Sequence, residues 1–287
     1  MRKVAILSLL LLLGCAPEAE CDFDGNAALE HVRMLVSHGQ RVSGSAEIVK
    51  SAEYIIGALP DTVKKRTIEF EDVTPDGLKK FRNIEAVIPA ENPDSGEKFI
   101  IVSGHYDLKK LDPPMDGAND SGSSAALLIE LAKTVKSPRC EVRIVWFDGE
   151  ECLSGRYSET DGLHGSRNYA AGLSPDELKN CIALVNVDMI GDRDLKYTLS
   201  ADTSLEMVEK VIKAAEKSGN SGLITQHRGN ILDDDQPFRQ RGIPCVNLID
   251  FDYAAWHTPG DDISQVSAAS LAATGNLVIA LLDELQK

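Results

Sequence analysis

The sequence predicts an α/β protein: a three-layer α/β/α sandwich around a central mixed, mostly parallel sheet. Three observations lead there. Residues 98–103, 142–147 and 182–187 are short, almost continuous apolar runs, the composition of strands buried on both faces. Stretches with helical spacing alternate with them, which places helices on both faces of the sheet. Each run also ends at metal-binding residue types: His105 after the first, the pair Glu150-Glu151 after the second and Asp188 after the third. Ligands of open α/β sheets bind outside the carboxyl ends of such strands.

Taken in order, Met1-Arg2-Lys3 and the apolar run 4–13 read as an export signal covering residues 1–14, too short to span a bilayer as a mature helix. Leu12-Leu13-Gly14-Cys15 closely resembles the bacterial lipobox, whose cysteine is lipidated and becomes the new N-terminus. Residues 15–26, small and acidic, suit a tether, and residues 27–287 are expected to form one domain. Helical spacing covers 28–36 and 46–59. Segments 68–73 and 82–88 read as a strand pair turning at Pro75-Asp76-Gly77. Residues 107–119 form a loop, and a helix over 121–135 starts beside Asp120, where the helix dipole favours the ionised carboxylate. A long loop, 149–163, leads to a helix near Gly165. After the run to Asp188 come segment 195–199, a helix over 204–218, a strand over 245–249 and an amphipathic helix over 267–285. No internal repeat or low-complexity linker supports a second domain.

Composition removes several functions. Lys and Arg number 30 against 45 Asp and Glu, a net charge of −15, so a phosphate backbone is repelled and nucleic acid is not an expected partner. Apart from Cys15 there are five cysteines, none in a C-x-x-C pair, and no disulfide partners can be assigned. Cys152 reads as a packing residue rather than a ligand. The chain lacks the serine elbow G-x-S-x-G, the phosphate loops and the H-E-x-x-H helix.

Imidazole and carboxylate are the donors zinc takes in catalytic sites that keep one position open. His105, Asp120, Glu150-Glu151, Asp188 and His257 supply that set. Adjacent glutamates beyond a strand end point in different directions, so Glu151 is assigned to the metal and Glu150 to proton transfer. Asp107, two residues after His105, is placed to orient its imidazole.

The ordered set His105-Tyr106-Asp107, Gly117 to Gly122, Asp148-Gly149-Glu150-Glu151, Gly165-Ser166-Arg167, Asp188 to Gly191 and Trp256-His257-Thr258-Pro259 resembles the zinc aminopeptidase superfamily that also contains the glutaminyl cyclases. The resemblance runs from about Phe99 to the C-terminus. In the peptidases it implies two zinc ions held by His105, Asp120, Glu151, Asp188 and His257, with Asp120 bridging. In the cyclases it implies one, held by Asp120, Glu151 and His257. The long loop ending Asp161 to Arg167, the segment Asp233 to Phe238 and Trp256 look like the cyclase branch. There Asp233 would hydrogen-bond the substrate amide and Trp256 would wall its pocket. Two departures concern that pocket: Arg156, followed by Tyr157, stands where cyclases often have an aromatic, and Asn247 where a histidine is common. His164 reads as a solvated loop residue.

The resemblance implies a zinc-dependent glutaminyl-peptide cyclotransferase acting on peptide or protein N-termini, exported and touching a membrane only through a lipid on Cys15. Zinc would polarise the γ-amide of an N-terminal glutamine, with Glu150 moving the proton and Asp188 supporting it. The rival enzyme is an aminopeptidase, in which water attacks the first peptide bond with Glu150 as base. A lipoprotein that only binds peptides is a third reading.

Overall fold

The computed structural model describes residues 23–92 and 96–287. The signal, Cys15 and most of the tether lie outside those residues. The Asp24 carboxylate caps α1 (Gly25–Ser37) by accepting from the amides of Asn26 and Ala27. The first helix therefore begins inside the segment assigned to the tether. Ser45 caps α2 (Ala46–Ala58) in the same way.

The hairpin of β1 (Lys64–Thr74) and β2 (Gly77–Ile88) is longer than apolar alternation suggests. Pairing continues through polar residues to Thr74 and Gly77, and Gly77 takes the positive φ of +98° that closes the turn. Then follow β3 (Phe99–His105), α3 (Gly122–Thr134), β4 (Glu141–Phe147) and α4 (His164–Gly172). Next are α5 (Pro175–Asn180), β5 (Cys181–Asp188), β6 (Tyr197–Leu199) and α6 (Leu205–Lys217). The chain closes with β7 (Ile224–Gln226), α7 (Gln236–Arg239), β8 (Cys245–Ile249) and α8 (Ala268–Leu285).

Six strands form the central sheet in the order β1-β2-β4-β3-β5-β8. Pairs β1/β2 and β2/β4 are antiparallel, whereas β4/β3, β3/β5 and β5/β8 are parallel. The sheet is thus mixed and mostly parallel, as expected. Segment 195–199 does not join it: β6 pairs with β7 in a separate two-stranded sheet.

Alternation along the strands builds the layers. Ile100 and Val102 of β3, Val142, Ile144 and Trp146 of β4, and Val185 and Val187 of β5 face one core with α1, α2, α3, α6 and α8. Phe99, Ile101, Val145, Phe147 and Leu184 face a smaller core with Tyr169 of α4 and Phe238 of α7. Burying side chains of this size stabilises by roughly 1.5–3 kcal/mol each. Trp146 is fully buried and its indole donates to the Ala125 carbonyl at 2.9 Å, fixing α3 against the sheet.

Candidate active site

Because β4, β3, β5 and β8 run in parallel, their carboxyl ends meet at one edge of the sheet. His105 ends β3 and Asp188 ends β5; Glu150 and Glu151 follow β4, and His257 lies in the loop after β8. Asp120 comes two residues before α3.

These side chains converge. His105 Nε2 lies 3.2 Å from both Asp120 Oδ1 and Asp188 Oδ1. His257 Nε2 lies 2.9 Å from Glu151 Oε1 and 3.4 Å from Asp120 Oδ2. Two triads result, His105-Asp120-Asp188 and Asp120-Glu151-His257, each with ligand atoms within 4.8 Å of one another. Asp120 belongs to both, facing each with a different oxygen.

Contacts to the backbone hold these side chains in place. Asp107 accepts the amides of Glu150 and Glu151, each at 3.1 Å, and lies 3.4 Å from His105 Nδ1. The residue expected to orient one imidazole thus also fixes the peptide that carries both glutamates. Asp261 accepts the amides of Asn119 and Asp120 and the Tyr253 hydroxyl, tying the segment of Asp120 to the loop of His257. Arg41, fully buried, donates to the carbonyls of Tyr106, Asp116 and Gly117 and so ties the loop after β3 to its own start.

So many buried carboxylates are electrostatically unfavourable without a cation. Burial pushes Glu151 and Asp188 above the usual carboxylate range. Asp120 is the exception: against the effect of burial, His105 and His257 hold it well down. His257 rises to about 9 despite its burial, because Asp120 and Glu151 favour its charged form. A divalent cation on these imidazole and carboxylate atoms relieves the same repulsion, and the donor types fit zinc.

Glu150 sits beside the triads. Its Oε1 accepts the Tyr157 hydroxyl at 2.8 Å, and Oε2 is 4.0 Å from His105 Nδ1. Burial, reinforced by Glu151, Asp233 and Asp234, pushes Glu150 well above its ordinary value. Tyr157 belongs to the 149–163 loop, which Asp161 shapes by accepting the amides of Leu153 and Ser154.

The acidic run divides differently from expectation. Asp233 accepts from Asn186 at 3.1 Å, Asn247 at 2.6 Å and the Asp234 amide at 2.5 Å, so it is a buried anchor with little acceptor capacity left for a substrate amide. Neither oxygen of fully buried Asp234 makes a well-formed hydrogen bond, although the Ser166 side chain lies against it, and burial pushes it up to about 7.

Trp256 is 41% exposed and its ring is tilted against that of His257 with centroids 4.5 Å apart, so it is not a core aromatic. His164 is not solvated: it is buried, stacks on Phe81 and meets Asp72 at 2.8 Å. Cys140, Cys152, Cys181 and Cys245 are free and buried.

The sequence profile of Peptidase family M28 matches residues 83–282. The chain belongs to this family. Among M28 relatives, aminopeptidase YwaD of Bacillus subtilis is 33% identical over 224 residues, 74% of this chain but only 44% of that protein. A glutaminyl-peptide cyclotransferase of Drosophila melanogaster is 28% identical over 272 residues, 83% of this chain and 74% of that one. The crystal structure of an Acidobacteriales bacterium glutaminyl cyclase superposes with a TM-score of 0.85 at 28% identity, covering 97% of this chain and 99% of its own.

Proposed function

We propose that this M28 protein is a zinc-dependent glutaminyl-peptide cyclotransferase that converts N-terminal glutamine of peptides or proteins to pyroglutamate with release of ammonia. The observation that carries this reading is the near end-to-end correspondence with a glutaminyl cyclase, 97% of one chain against 99% of the other. The Bacillus subtilis aminopeptidase corresponds over less than half its own length.

Asp120, Glu151 and His257 would hold the zinc, which supplies Lewis acidity to the γ-carbonyl of the substrate. Glu150 takes the proton of the peptide's α-amine at Oε2, the oxygen Tyr157 leaves free, as the amine forms its bond to the γ-carbon. It returns that proton to the departing amide nitrogen, which leaves as ammonia. The raised affinity of Glu150 for protons suits both halves of the transfer. Asp188 supports the shuttle through His105, 3.2 Å away. Trp256 walls the pocket. Asp233 acts as a positioning residue through Asn186 and Asn247.

Export and attachment to a membrane by a lipid on Cys15 belong to the same proposal, supported by the basic start, the apolar run and Leu12-Leu13-Gly14-Cys15. An aminopeptidase is the second reading, favoured by the two triads that share Asp120. Zinc content distinguishes them: one equivalent per chain at full activity is expected, and a requirement for two would favour the peptidase.

A further inference from the structure

Lys109 follows β3 and its side chain is 14% exposed. Its ammonium lies 3.0 Å from Glu151 Oε2, 3.2 Å from the Cys152 carbonyl and 3.3 Å from Cys152 Sγ. The other oxygen of Glu151, Oε1, lies 2.9 Å from His257 Nε2, on the side of Asp120. The two oxygens of one carboxylate therefore have separate surroundings. An ammonium and a divalent cation repel strongly at short range in a buried site, so both do not sit on the same oxygen. With Oε2 taken by Lys109, Oε1 is the atom left for a metal.

We propose that Lys109 is a positioning residue of the metal centre: it holds Oε2, restricts Glu151 to a single ligating oxygen and so keeps a coordination position open for the substrate carbonyl. The proposal rests on reading Asp120, Glu151 and His257 as ligands. Three protein donors plus one open position is the arrangement of catalytic zinc. Partners that orient metal ligands typically contribute 10–100-fold to metal affinity or activity. Lys109 also contacts the Cys152 carbonyl, so the same ammonium fixes the start of the 149–163 loop to the centre.

The test uses the full protein stripped of metal and reloaded with one equivalent of cobalt(II). Wild type is expected to show the intense visible bands of a four-coordinate ion. In Lys109→Met, Glu151 becomes free to chelate with both oxygens; the bands should weaken toward the five-coordinate pattern, with kcat down about 10–100-fold. Lys109→Gln, which keeps a donor but no charge, should fall between. A wild-type cobalt spectrum in Lys109→Met overturns the proposal. So does failure of both variants to bind cobalt, since the ligand set itself is left intact. A wild type that binds cobalt but makes no pyroglutamate would instead count against the proposed reaction and leave the spectral comparison valid.

Discussion

At the residue scale, two adjacent glutamates leave β4 for different surroundings. Glu151 turns toward His257 and Lys109, whereas Glu150 meets the Tyr157 hydroxyl. Glu150→Gln should lower pyroglutamate formation by about 10²–10⁴-fold while zinc content, read by atomic absorption, stays at the wild-type level. Glu151→Gln should lose the zinc as well. The reverse pattern would exchange their roles. Asp233→Ala takes the acceptor from the buried Asn247 amide and one of two acceptors from that of Asn186, a cost of about 1–3 kcal/mol in urea unfolding. An unchanged midpoint would remove Asp233 from its anchoring role. His105, the Glu150-Glu151 pair and Asp188 were legible in sequence because each follows an apolar run, whereas Asp120 and His257 stand in loops. The contributions of Asp234, Lys109 and Asp261 were not, because they depend on contacts between loops that carry no periodic signal.

At the scale of elements, the 149–163 loop decides what covers Glu150. Gly162 takes a φ of +78°, and a Cβ there would stand 2.5 Å from Tyr157 Cδ1 and 2.9 Å from the Glu150 carbonyl oxygen. Gly162→Ala is expected to displace Tyr157 from Glu150, lowering kcat and costing about 1–3 kcal/mol of stability. Normal kcat in a destabilised variant would separate Tyr157 from catalysis. The buried strands were readable because parallel strands covered on both faces are nearly all apolar. β1 and β2 were recognised but read too short, since their outer ends alternate charged residues. Helix α5 was missed although Ser174, Pro175 and Glu177 make a capping box with proline at the first turn, a signal that apolar periodicity does not register.

At the scale of the whole molecule, the helical layer over the larger core has its own pH dependence, away from the two triads. His31 of α1 bonds to Tyr54 of α2 at 2.5 Å and Lys133 of α3 at 2.8 Å, with the Glu130 carboxylate 3.8 Å away. Burial, helped by Lys133, lowers its pKa from 6.5 to about 4. The unfolded chain therefore binds the His31 proton more tightly than the fold does. The resulting stability is complete above pH 6.5 and is lost as pH falls from 6.5 toward 4. Urea midpoints should drop less over that window in His31→Gln than in wild type; parallel curves would exclude the contact.

A pocket that buries a primary amide should reject substrates that leave its polar groups unpaired by a large factor. The zinc-loaded protein should be incubated with two otherwise identical peptides, one starting with glutamine and one with leucine, and the products read by mass spectrometry. The glutamine peptide is predicted to lose ammonia and become resistant to N-terminal sequencing while the leucine peptide stays whole. Release of free leucine, with glutamine cut from its peptide rather than cyclised, would rule out the cyclotransferase and make the protein an aminopeptidase.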